Sequence, residues 1–146
     1  MQVRWTIAPL LLVAACSSPT STPVVDKAYV RLAAVPGRPA AAYFVLHGGA
    51  RDMTLTQVAV PGVSRAELHN SRTTGNGMVT MDSLATVPVK AHGQVVFAPG
   101  ARHVMLFDVP NSVRAGSTLP MTLRFADGEA VTANASVIAA GDVAPE

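Results

Sequence analysis

Residues 119–138 read LPMTLRFADGEAVTANASVI. Two β-favouring runs, Leu119–Phe125 and Ala130–Ile138, flank Asp127-Gly128, a dipeptide that favours the tight turn of a hairpin. The same grammar repeats on either side. Ala28–Leu32 and Met53–Val60 alternate apolar and polar residues, and Ala42–Leu46 is a continuous β-favouring run. Arg65–His69, Met78–Met81, Val95–Ala98 and His103–Val109 are further short candidates. Pro36-Gly37, Gly48-Gly49, Pro61-Gly62, Pro99-Gly100 and Gly116 punctuate them. No segment carries sustained helical periodicity with caps. Many short strands separated by turns predict an all-β domain, an antiparallel β-sandwich or Greek-key barrel.

The N-terminus follows a different logic. Arg4 precedes the apolar stretch Thr6–Ala15, which is too short to span a bilayer and has the length of a signal-peptide core. It runs into Val13-Ala14-Ala15-Cys16, which resembles a bacterial lipobox, the signal in which the cysteine becomes the lipidated first residue. Cys16 is the only cysteine of the 146 residues. Ser17 follows it rather than an acidic residue; where a cell has two membranes, that resemblance favours the outer one. The expected organisation is a lipoprotein signal over residues 1–16, a flexible Ser/Thr/Pro tether over 17–23, one domain over 24–140 and a disordered tail over 141–146. The product is expected in the cell envelope, anchored to the membrane through Cys16 and facing the periplasm.

Composition excludes several functions. Eleven Lys and Arg stand against nine Asp and Glu, and loss of the signal removes Arg4. There is no basic run, and the single Trp, Trp5, lies in the signal. Nucleic-acid binding has no footprint. With Cys16 lipidated, the domain holds no thiol for a disulfide or a cysteine-based zinc site. A blue-copper electron-transfer centre, which needs a thiolate beside two imidazoles, is excluded for the same reason. The carboxylates are scattered, with no pair placed for acid–base work, and no nucleophile context or phosphate-cradling glycine loop is present.

His69, Met81, His103 and Met105 remain. Two imidazoles and two thioethers form a soft, uncharged donor set that suits Cu(I) above other common metals, whereas Mg²⁺ or Ca²⁺ would require carboxylates. His103 and Met105 are i and i+2 on a candidate strand and therefore share a face. His69 and Met81 are expected at the ends of two further strands, so that the group gathers at one end of the sandwich. Singly, Met81 or Met105 reads as a core filler and either histidine as a surface residue. His47 reads as a structural strand end, His92 as a solvated turn residue, Met53 and Met121 as core, and Met78 as core or support. A non-metal structural module is the bland alternative.

The spacing decides between these readings. His69 and Asn70 are followed by ten residues and Met81, then twenty-one residues and His103-Val104-Met105. This resembles the motif of the periplasmic copper chaperones of the copper-A type: His, commonly Met, ten residues, Met, twenty-one residues, His-x-Met. From this composition, chance placement of the last three at fixed offsets is on the order of 10⁻⁴. The surrounding Glu67-Leu68-His69, Gly77-Met78, Val87-Pro88-Val89 and Pro99–Leu106 are similar as well. Asn70 departs from the pattern where the family often carries a further Met. The resemblance implies a cupredoxin-like sandwich, a Cu(I) site on His69, Met81, His103 and Met105, and delivery of copper by ligand exchange, which breaks no substrate bond, so that no enzyme is expected. The implied acceptor is an apo copper protein such as cytochrome c oxidase subunit II, at its binuclear copper centre. The chain is read as a monomer, with an envelope copper buffer as the alternative role.

Overall fold

The structure, a computed structural model, describes residues 22–145. The signal, Cys16 and most of the tether lie outside the described residues. Among the described residues every regular element is a strand: β1 (Val24–Arg31), β2 (Ala40–His47), β3 (Met53–Ala59), β4 (Arg65–Thr73), β5 (Val79–Leu84), β6 (Val87–Val89), β7 (Gln94–Phe97), β8 (Arg102–Phe107), β9 (Thr118–Phe125) and β10 (Ala130–Ile138). The expected all-β class holds. The hairpin around Asp127-Gly128 forms as expected, with Gly128 at φ +89° and β9 and β10 in register from Arg124–Ala130 to Thr118–Ser136.

The strands form one sheet in the order β5-β4-β8-β7-β2-β1-β10-β9-β3-β6, with β8 also paired to β2. It wraps on itself into a flattened barrel around a single core. Most neighbours are antiparallel, but β1–β10 and β7–β8 are parallel. Between the pairs Asp26–Val45 and Tyr29–Tyr43, two residues of β1, Lys27 and Ala28, oppose one of β2, Phe44. Lys27, at φ +52°, takes up the extra residue as a bulge.

Alternation sets which side chains enter the core. Val30, Ala42, Phe44, Leu46, Leu55, Val104, Leu106, Met121, Leu123 and Ala135 are buried to within 1% exposure. Phe44 stacks on Phe97 at 4.2 Å between ring centroids. Met53 and Met121 are core, as expected. Gly48 lets the end of β2 pass the turn after β6: a Cβ there would lie 2.1 Å from the Lys90 carbonyl oxygen.

Two elements differ from the sequence reading. β6 appears over Val87–Val89, with Val87 and Val89 buried and Pro88 exposed. Proline is tolerated because β6 is an edge strand. β4 runs on to Thr73 because its polar second half pairs with β5, from Leu68–Leu84 to Thr73–Val79.

Candidate metal centre

The Pro99-Gly100 turn launches β8. Gly100 takes φ +78°, and Ala98 N–H donates to the Arg102 carbonyl at 2.8 Å. Val104 and Leu106 then point into the core, so His103 and Met105 face outward. In β4 Leu68 is the buried residue, which turns Glu67, His69 and Ser71 to the same outer face. Register joins the strands: His69 is opposite His103 and Glu67 opposite Met105 across β4–β8. Across β4–β5, His69 is opposite Ser83 and Ser71 opposite Met81.

All four candidate residues therefore share one face on three adjacent strands, with His69 as hub. Met105 and Met81 are its diagonal neighbours on opposite sides, each about 8 Å away between Cα atoms. Laid flat, the two methionines are separated by two strands and four residues, about 16 Å. The pair the structure brings together most closely is His69 and His103. Their rings are stacked at 5.8 Å with 24° between planes. Met81 is the outlying member, 57% exposed.

This placement corrects the expectation of a cluster at strand ends. His69 lies at the middle of β4 and Met81 within β5, because the β4–β5 hairpin is longer than its apolar pattern. Met78 is exposed rather than core. His47 ends β2, and its Nε2 pairs with Asp26 Oδ2 at 3.0 Å. His92 lines the same cleft from a turn, at φ +54°.

His103 faces outward yet is buried, because aromatic rings flank it. Tyr29, Tyr43, His103 and His69 form a row across β1, β2, β8 and β4, with successive centroids 5.0, 6.4 and 5.8 Å apart. Burial, then the neighbouring Tyr29, push the Tyr43 hydroxyl above its ordinary range, against a smaller opposing effect of Arg31.

The ring nitrogens have distinct partners. His103 Nδ1 lies 3.0 Å from the Ala101 carbonyl oxygen. His69 Nε2 lies 3.0 Å from Glu67 Oε2. His69 Nδ1 is buried with no hydrogen-bond partner, a costly state for a polar atom. Glu67 Oε1 in turn accepts from Arg65 Nε at 2.8 Å, and the Arg65 guanidinium lies 4.1 Å over the Phe107 ring.

Glu67, which touches His69 on this face, was not singled out by the sequence reading. Arg65, Glu67 and His69 alternate along one strand, and that spacing alone places them on one face. Among the described residues no three His, Cys, Asp or Glu side chains gather as a metal cluster. A metal on this face would need the thioethers.

The model of the family described as "Putative lipoprotein LpqE-like" matches residues 24–137. A protein of Leifsonia xyli subsp. xyli, "Putative lipoprotein Lxx21020", is 32% identical over 105 residues, 71% of this chain. The match spans 62% of that relative's length, under two thirds of it. Among solved structures, Cu(I)-DR1885 of Deinococcus radiodurans aligns with TM-score 0.65 and 25% identity, covering 85% of this chain and 83% of that one. The apo PmoF2 PCuAC domain aligns with TM-score 0.69 and 20% identity over 86% and 97% of the two chains. The copper-bound PmoF2 domain gives 0.66 and 21% over 82% and 95%. The last two likenesses concern the fold.

Proposed function

The chain belongs to the LpqE-like lipoprotein family, and from that premise we propose that it is an envelope Cu(I) chaperone, anchored through Cys16, that carries copper on His69, Met81, His103 and Met105. One observation carries the proposal most directly. A buried imidazole nitrogen without a partner, His69 Nδ1, sits at the hub of a face that also bears His103 and two thioethers. An electron-pair acceptor at that point would satisfy it. Similarity to a structure solved as Cu(I)-DR1885 supports the choice of metal.

The donor chemistry fits the cargo. Cu(I) is a closed-shell ion that accepts three- and four-coordinate sites, and soft thioethers favour it over Cu(II). Uncharged ligands hold it without needing a thiolate, an advantage where thiols oxidise. Neutral imidazoles are required, so copper binding competes with protons. The chain's own residues bind and orient the ion: the stacked histidines form a fixed floor, and the flexible methionines close on it from opposite sides. The exposed position of Met81 makes it the ligand an acceptor replaces first. Transfer is then stepwise ligand exchange toward an apo copper protein, the binuclear centre of cytochrome c oxidase being the acceptor suggested by the motif. No substrate bond is broken.

Anaerobic Cu(I) titration against a competing chelator tests the proposal. The expected result is tight one-to-one binding that is lost in a Met81→Ala, Met105→Ala double variant. Binding unchanged in that variant would refute it. Transfer to an apo oxidase copper domain, run beside His103→Ala, separates a chaperone from a copper buffer.

A further inference from the structure

We propose that Glu67, clamped by Arg65, fixes the tautomer of His69, so that the two histidines offer unlike nitrogens to the metal: Nδ1 from His69 and Nε2 from His103. The proposal rests on the copper reading for the identity of the ion, but its tautomer component is a property of the metal-free protein.

Donor and acceptor capacities fix which nitrogen of each ring carries the proton. A carboxylate oxygen accepts and does not donate. At 3.0 Å from Glu67 Oε2, His69 Nε2 must therefore carry the proton, and in the neutral ring Nδ1 is left as a lone pair. That is the nitrogen found buried and unpartnered. For His103 the same count runs the other way. The Ala101 carbonyl accepts from Nδ1 at 3.0 Å, so the lone pair is on Nε2. A main-chain carbonyl orients one ring and a side-chain carboxylate the other, the two common ways of setting a ligating histidine.

Glu67 is not itself a ligand in this arrangement. Its Oε2 is taken by His69 and its Oε1 by Arg65 at 2.8 Å. Arg65 is in turn seated 4.1 Å over the Phe107 ring. Both carboxylate oxygens are engaged, so this carboxylate is withheld from a metal on the face although it lies opposite Met105 across the β4–β8 ladder. Phe107, Arg65, Glu67 and His69 thus form one chain of contacts that orients the hub imidazole. Glu67 is a positioning residue, acting through His69. The nitrogen it leaves bare is Nδ1, the one nearer the backbone, and Met105 lies one diagonal step from His69 across the β4–β8 ladder.

The test is long-range ¹H–¹⁵N correlation of the imidazoles in ¹⁵N-labelled protein at about pH 8, where free histidine is neutral, before and after anaerobic addition of Cu(I). The expected apo spectrum shows protonated Nε2 on His69 and protonated Nδ1 on His103. Copper then shifts Nδ1 of His69 and Nε2 of His103, and the protonated nitrogens keep their protons. Glu67→Ala is expected to give a mixture of His69 tautomers and to weaken Cu(I) binding about 10–100-fold. Glu67→Gln keeps a side-chain acceptor and restores the wild-type pattern. A protonated Nδ1 on His69 in the wild type, a copper shift at its Nε2, or an unchanged tautomer in Glu67→Ala would each overturn the proposal. A purely structural role for Glu67 would move the melting temperature of Glu67→Ala and leave its imidazole spectrum alone. If Cu(I) moves neither ring, the chaperone reading fails together with the assignment of ligating nitrogens, while the apo spectrum still decides whether Glu67 sets the tautomer.

Discussion

Replacing His103 and Met81 separately by alanine divides what these residues do for the fold from the copper ligation proposed for them. His103 is 6% exposed, lies between a tilted Tyr43 ring and the stacked His69 ring and is hydrogen-bonded to the Ala101 carbonyl. Its truncation leaves a void on the order of 60 Å³, which at ~24 cal/mol per Å³ costs about 1.5 kcal/mol. The lost hydrogen bond adds about 1 kcal/mol. His103→Ala should therefore destabilise the domain by roughly 2–3 kcal/mol. Met81 is 57% exposed on edge strand β5. Full burial of a methionine is worth about 1.5–3 kcal/mol, and less than half of this side chain is covered. The unfolded chain also shields part of its apolar surface, so Met81→Ala should cost about 0.5 kcal/mol. Urea denaturation of the apo proteins measures both, and anaerobic competition with a Cu(I) chelator measures binding. The two variants should differ several-fold in stability loss while both lose tight copper binding. A Met81→Ala protein that keeps wild-type affinity would refute the reasoning, because its fold is expected to be intact.

Three further outcomes concern the scaffold. Leu106→Ala, at a fully buried position beside Met105, should cost about 2–5 kcal/mol, whereas Val96→Ala, 43% exposed, should stay within about 0.5 kcal/mol; equal midpoints in urea would contradict this. Gly48→Ala places a Cβ against the Lys90 carbonyl and should destabilise by roughly 1–3 kcal/mol, measured as a lowered melting temperature; an unchanged one would show that the turn yields freely. Asp52 is held below the usual carboxylate range first by Lys90, and Asp127 first by the Glu129 N–H and then by Arg51. Depressed acids contribute stability above the unfolded value that is lost as pH falls through the folded one, so the melting temperature should drop below about pH 4, less steeply in Asp52→Asn and Asp127→Asn. A slope identical to wild type would remove these pairs from the account.

The sequence made the local pattern legible and left the long-range pattern hidden. Hairpin β9–β10 was readable because its turn residues and both strands are contiguous. The parallel pairing of β1 with β10 was not, since Tyr29 meets Ser136 through an arrangement no local period encodes. β6 was obscured by Pro88, a residue that argues against a strand except at an edge. The second half of β4 was obscured by its polarity, although Arg72 and Asp82 pair across the hairpin. For the metal face, the i, i+2 spacing of His103 and Met105 gave a shared side directly. That His69 would sit opposite His103 followed only from the β4–β8 register. Glu67 went unread because a carboxylate beside a soft donor set looks like a surface charge. The role proposed for it rests on both its oxygens being occupied, by His69 and Arg65.

The most direct measurement of the central claim is copper K-edge X-ray absorption on the protein loaded anaerobically with one equivalent of Cu(I). The expected spectrum is that of a reduced ion with a mixed shell of imidazole nitrogens and thioether sulfurs, one sulfur fewer in Met81→Ala and one imidazole fewer in His103→Ala. A shell of nitrogen and oxygen alone, or one that neither substitution changes, would contradict it.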